Sequence, residues 1–238
     1  MKKTVFTVLA LAAGLSQAAI LHDNGPVVNA SNLSVLAGSA TTLGWGEQVA
    51  SGNRMADDFT VANGSAWNVS SVSFFAYQTG ATSFTFTNAV WSIVAGNDVN
   101  TGSVVASGTT SVGNGGQVGY RVTASTLTNT LRPIYQLEAD IPDVTLASGH
   151  YWLTWSIGGT LASGPWQPPT ADARTGNAMQ ATAGGAFATV IDSGSNLSAE
   201  MPFLINGTVA AVPEPETYAM LLGGLGLIGL ARRRVRSK

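Results

Sequence analysis

Two histidines, His22 and His150, and no cysteine stand in this chain of 238 residues. Those counts remove cysteine nucleophiles, thiolate metal centres and disulfides. They also leave a histidine-based zinc site short of ligands. A Ser-His-Asp hydrolase would have to take its base from one of the two. His22 falls near the N-terminus, where order is not expected. His150 opens a predicted strand, and no G-x-S-x-G elbow occurs. Carboxylates offer more material. Asp57 and Asp58 are expected just before a strand, and Glu138, Asp140 and Asp143 just after another. Adjacent strand residues point to opposite faces, so Asp57 and Asp58 do not face each other across a glycosidic bond. Two readings stand for that pair: a strand-entry turn with one exposed acid, or an oxygen-rich calcium site. No other cofactor is expected. Asp98–Gly102 has a D-x-N-x-G look but lacks the third acid and the closing Glu of a calcium loop, so a hairpin loop is expected. Six tryptophans remain. Trp91 and Trp155 fall on apolar strand faces and are expected in the core. Trp45, between two glycines, and Trp166, beside prolines, are the candidate platforms for stacking on a sugar ring.

The elements that must carry these residues are short and β-rich. Between residue 20 and about 211 no stretch shows a helical period. Runs such as Ser71–Tyr77, Ser83–Thr87, Val90–Val94, Ser103–Ser107, Gln117–Thr123, Ile134–Ala139, His150–Ile157, Ala186–Ile191 and Phe203–Val209 are parted by Gly, Asn, Ser and Asp clusters. In His150–Ile157 one face carries Tyr151, Leu153, Trp155 and Ile157, and the other His150, Trp152, Thr154 and Ser156. That alternation predicts a sheet with one buried face. The expectation is an all-β fold, a single antiparallel β-sandwich or jelly-roll-like domain over residues 19–211. The segment from Ile20 to Arg54 is expected as an extended arm or edge strands, and Gly158–Gly185 as a long irregular region.

Charge separates this middle from both ends. Between residues 20 and 211 the only cations are Arg54, Arg121, Arg132 and Arg174, against eleven acids. A lysine-free, acidic surface does not attract polyanions, so no nucleic-acid partner is expected. Residues 1–18 read as a secretory signal: Lys2 and Lys3 form a positive start, Val5–Leu15 an apolar run, and Ser16-Gln17-Ala18 a small-residue cleavage site for signal peptidase.

Residues 212–238 have three parts. Val212-Pro213-Glu214-Pro215 is an exposed, extended handle. Tyr218–Ala231 is an apolar run which, as a helix, would be about 21 Å long against a hydrocarbon core of roughly 30 Å. Arg232, Arg233 and Arg234 then form a basic stop that stays cytoplasmic by the positive-inside rule. Gly224–Gly229 satisfies G-x-G-x-x-G, but with no preceding strand it is read as small residues in an apolar helix.

This tripartite tail resembles the PEP-CTERM sorting signal of Gram-negative bacteria. The resemblance implies recognition by an exosortase, cleavage near the motif, transient membrane anchoring of the precursor, and final placement on the cell surface or outside it, alongside exopolysaccharide. Met55–Val61, Trp67–Val69 with Val72–Phe74, and Leu146–Leu153 look like segments of the β-sandwich passengers common among such proteins. The expected function is therefore a non-catalytic, structural or adhesive protein of the extracellular matrix. The rival expectation is a secreted lectin-like binder or a glycan-active hydrolase.

Overall fold

Trp155 is fully buried, and the fold is built around the strand that carries it. The computed structural model describes residues 18–210. In chain order the strands are β1 (Ala19–Asp23), β2 (Leu33–Val35), β3 (Trp45–Gly46), β4 (Arg54–Val61), β5 (Ala66–Tyr77), β6 (Phe86–Ala95), β7 (Ser103–Ser111), β8 (Gly113–Val122), β9 (Pro133–Leu146), β10 (Gly149–Gly159), β11 (Trp166–Gln167), β12 (Met179–Ala181), β13 (Ala188–Thr189) and β14 (Leu204–Ala210). They form two sheets. One runs β1-β14-β5-β9-β8-β2, with β3 and β11 attached to it beside β5; the other runs β13-β12-β4-β10-β6-β7.

The sheets face each other across one core. Phe74, Leu137, Ile205 and Phe203 come from the first sheet and its approach, and Met55, Phe59, Ile93, Leu153 and Trp155 from the second. This is the expected all-β sandwich. Among the described residues its strand-to-strand ladders are antiparallel except one: β2 lies parallel to β8, Leu33 opposite Tyr120. Pro142 sits inside β9 because the ladder breaks there. Val69 pairs with Val144 and Ser71 with Asp140, so a single residue of β5 opposes three of β9 and no hydrogen bond is asked of the proline.

The alternation of β10 holds, but the expectation of one solvated face does not. Trp152, Thr154 and Ser156 are nearly as buried as the inner set. A second, smaller cluster covers that outer face. It brings Trp152 together with Ala56, Val94, Val99, Ala181 and Phe187, contributed by neighbouring strands, the loop after β6 and the segment before β13. The other sheet has its own outer cluster of Phe75, Tyr77 and Ile134, packed with Val27, Val28 and Trp166. Loops fold back over both sheets, and period two within a strand carries no record of that.

Several boundaries move. His22 is ordered in β1, where the strand pairs with β14. Asp57 and Asp58 lie in the middle of β4, not ahead of a strand. Glu138, Asp140 and Asp143 lie within β9. The Ala186–Ile191 run shrinks to the two residues of β13, and the strand read from Ser83 begins at Phe86. Asp98–Gly102 closes the β6–β7 hairpin, with the Gly102 amide donating to the Asp98 carbonyl at 2.8 Å. Among the described residues no helix is long and apolar enough to cross a membrane. The signal segment 1–17 and the tail from 211 onward, including Val212–Pro215, the apolar run and Arg232–Arg234, lie outside the described residues.

Candidate functional site: a groove beside Trp166

Trp45 and Trp166 do not share a groove. In the two-rung ladder of β3 and β11, Trp166 pairs with Gly46 and Gln167 with Trp45. Trp45 and Trp166 therefore occupy successive rungs and point to opposite faces. Trp45, Glu47 and Gln167 turn toward the core, while Gly46, Gln48 and Trp166 turn outward.

Outward of the ladder lies a concavity of about 820 Å³. Trp166 forms one wall and Leu161 another. Gln48, Asn53 and Gln180 supply amides, and Gly158 and Gly159 leave the backbone bare. Any larger residue at these last two positions would crowd its neighbours. A Cβ on Gly158 would run into the Asn88 and Thr87 side chains, and one on Gly159 into the Gln78 amide at 2.5 Å. Trp166 is half-buried, and its indole N–H donates to Ser163 Oγ at 3.3 Å. One edge of the ring is thus pinned against the fold.

The amides are held by one another and by the backbone. Asn53 Nδ2 donates to Gln48 Oε1 at 2.7 Å, and Asn53 Oδ1 accepts from the Ala183 amide at 3.1 Å. Gln180 Nε2 donates to the Gly46 carbonyl at 2.7 Å. Among the described residues this leaves Gln48 Nε2 as a donor and Gln180 Oε1 as an acceptor, both without a protein partner. A sugar hydroxyl needs that combination, since it both donates and accepts. No Asp, Glu or His lines the groove. It therefore offers binding chemistry and lacks a proton-transfer pair of its own.

The floor is stiffened from behind by a buried polar cluster that the sequence reading missed. The Ile157 amide donates to the Glu47 carbonyl at 2.7 Å. Trp155 Nε1 donates to Glu47 Oε2 at 2.8 Å and to Gln167 Oε1 at 3.1 Å. Glu47 is fully buried, and its Oε1 has no partner among the described residues. Burial pushes its carboxyl well above the usual range, against the opposing Trp155 N–H. A signal for Glu47 was present: it lies two residues after Trp45, and period two puts both on one face.

The other predicted residues serve elsewhere. Asp57 is fully buried on the inner face of β4, opposite Leu153. Its oxygens accept the Met201 amide at 2.8 Å, Asn24 Nδ2 at 3.2 Å and the Asp58 amide at 2.9 Å. Burial, reinforced by the Glu200 charge, raises its carboxyl well above the usual range. Asp58 sits on the outer face and pairs with His150 Nε2, while His150 Nδ1 lies 2.8 Å from the Gly96 carbonyl. Burial works against the imidazolium, but Gly96 and Asp58 outweigh it and raise His150 above its ordinary value. The strand thus sends the two aspartates to different partners. Among the described residues no three His, Asp or Glu side chains gather around a common point.

Comparison with known proteins places the ends in context. No curated protein matches the chain. Residues 211–236 match the PEP-CTERM protein-sorting motif. That match coincides with the Pro-Glu-Pro handle, apolar run and arginine cluster read from the sequence. It marks a precursor that is exported, anchored in the membrane and processed by an exosortase. The chain thus carries a PEP-CTERM protein-sorting motif at residues 211–236, behind an all-β sandwich.

Proposed function

We propose that the cargo is a non-catalytic display module that holds neutral glycan in the Trp166 groove, on the cell surface or in the surrounding exopolysaccharide. The observation that carries this reading is the lining of the groove. It combines an aromatic wall, a free amide donor and a free amide acceptor, with no acid or imidazole. An aromatic ring buries the C–H face of a pyranose, while the two amide groups orient its hydroxyls. Bonds of this kind to a wet, open groove are individually weak. Adhesion then comes from many copies acting on one polymer, where linked sites raise effective affinity without new contacts.

The rival hydrolase reading needs two carboxyls facing each other across a cleft. Nothing in the lining of this groove favours it. Affinity electrophoresis of the full chain through gels containing the producing cell's exopolysaccharide tests the proposal. The expected result is retardation that Trp166→Ala abolishes, with that variant still unfolding in a single cooperative transition. Equal mobility of the two proteins in the polymer gel, or release of reducing ends during the run, would overturn it.

A further inference from the structure

The second tryptophan singled out by the sequence, Trp45, lines a different cavity, and this one carries charge. Its volume is about 290 Å³, and Trp45, Pro169, Ala40, Arg121, Arg174 and Asp192 are among its walls. That is near the lower end of small-ligand sites and of the size of one ring with a substituent.

Arg121 is the unusual member. It is 2% exposed, yet among the described residues no carboxylate lies within ion-pair distance of it. Its guanidinium donates to three neutral acceptors: the Leu43 carbonyl at 2.7 Å, the Thr42 carbonyl at 3.0 Å and Ser34 Oγ at 3.0 Å. A guanidinium has five N–H groups, so two are left without an acceptor among the described residues. Neutral acceptors tie the loops together but supply no countercharge, and a buried cation without one is costly. Burial accordingly lowers the Arg121 guanidinium to about 10, despite the opposing influence of Tyr77 and Asp192.

The acid in the wall does not fill that role. Asp192 Oδ1 accepts the Thr41 and Thr42 amides at 2.9 and 2.7 Å. Its Oδ2 accepts the Gly194 amide at 3.1 Å, the Ser195 amide at 2.7 Å and Ser195 Oγ at 2.9 Å. Both oxygens are committed to the loops they clip together. Arg174 is committed too, to Asp172 at 2.7 Å.

We propose that this cavity binds a small organic anion, a carboxylate carried on a single ring, with the carboxylate against Arg121 and the ring against Trp45. Two sources share that chemistry: a sugar acid and an aromatic acid. The site stands on the face of the β3–β11 ladder opposite the Trp166 groove, so it neither requires nor implies glycan binding there.

The test titrates the full chain with glucuronate and with benzoate, and with their neutral counterparts glucose and benzyl alcohol, following tryptophan fluorescence and thermal midpoint. Arg121→Gln removes three loop ties and risks unfolding, so the deciding variant is Ala40→Phe, which fills the cavity and leaves Arg121 in place. At least one of the two anions is expected to change the fluorescence and raise the midpoint by about 5 °C near saturation. Neither neutral counterpart is expected to do so, and Ala40→Phe is expected to lose both responses. The anion that responds identifies the source. The proposal fails if neither anion binds, if a neutral counterpart binds as well as its acid, or if Ala40→Phe responds like wild type.

Discussion

Glu47 and Asp57 are carboxyls placed where the charged form is disfavoured, and that sets the direction of the protein's pH dependence. Burial raises both above their ordinary values of 4.5 and 3.8. A folded state that holds a proton more tightly than the unfolded chain is stabilised below the unfolded value and loses that stability as pH rises through the folded one. His150 acts in the same sense. Its raised value gives stability that is complete below 6.5 and fades at higher pH. Asp192 runs the other way. Burial opposes its ionisation, but the Ser195, Thr42 and Thr41 amides outweigh it and hold its carboxyl below 3.8, so its contribution is lost only in stronger acid. Burial lowers the His22 imidazole, which favours the opposite trend to His150 between pH 5 and 8. His22 stands against Glu47, Asp57 and His150 together, and the protein is expected to resist urea better at pH 5 than at pH 8. Glu47→Gln, which keeps an acceptor for the Trp155 N–H, is expected to flatten that slope and to match or exceed wild-type stability at pH 8. Urea denaturation at the two pH values checks this, and an unchanged slope would mean that Glu47 is not the group responsible.

At the scale of elements, the strands that seal the core were the legible part. Tyr151, Leu153, Trp155 and Ile157 alternate because β10 buries that face against the opposite sheet. The hairpin at Asp98–Gly102 was legible from its turn residues. What stayed hidden depends on long-range cover. Trp152 reads as exposed until the Phe187 segment is seen to fold over it, and Asp57 reads as a turn residue until Met201 and Asn24 supply its donors. The groove was half legible. Trp166 stood out as an aromatic beside prolines, but Gln48 and Gln180 become its partners only through pairings made far apart in sequence. The parallel β2–β8 pairing was not legible at all, because three residues carry too little pattern. That pairing depends on Gly119. A Cβ there would collide with the Asn32 carbonyl and press on Val28. Gly119→Ala is accordingly expected to cost about 1–3 kcal/mol, with the loss centred on the segment holding β2. Native-state hydrogen exchange reads this directly: faster exchange at Tyr120, which donates to the Asn32 carbonyl, is the expected result. Unchanged protection at Tyr120 would contradict it.

For the whole molecule, the acidic, lysine-free middle and the two basic ends describe a chain with different surroundings at different times. In the proposed role the apolar and basic segments act as addresses at the membrane, and the sandwich between them is what reaches the outside. The proposed display role asks for a fold that holds its shape without disulfides, and the continuous two-sheet core of this cysteine-free chain meets that need. Intact-mass spectrometry of the surface-retained protein tests this account most directly. The expected species begins near Ala19 and ends close to Pro213–Pro215, with the apolar run and arginine cluster gone. A surface species that still carries both Met1 and Lys238 would contradict it.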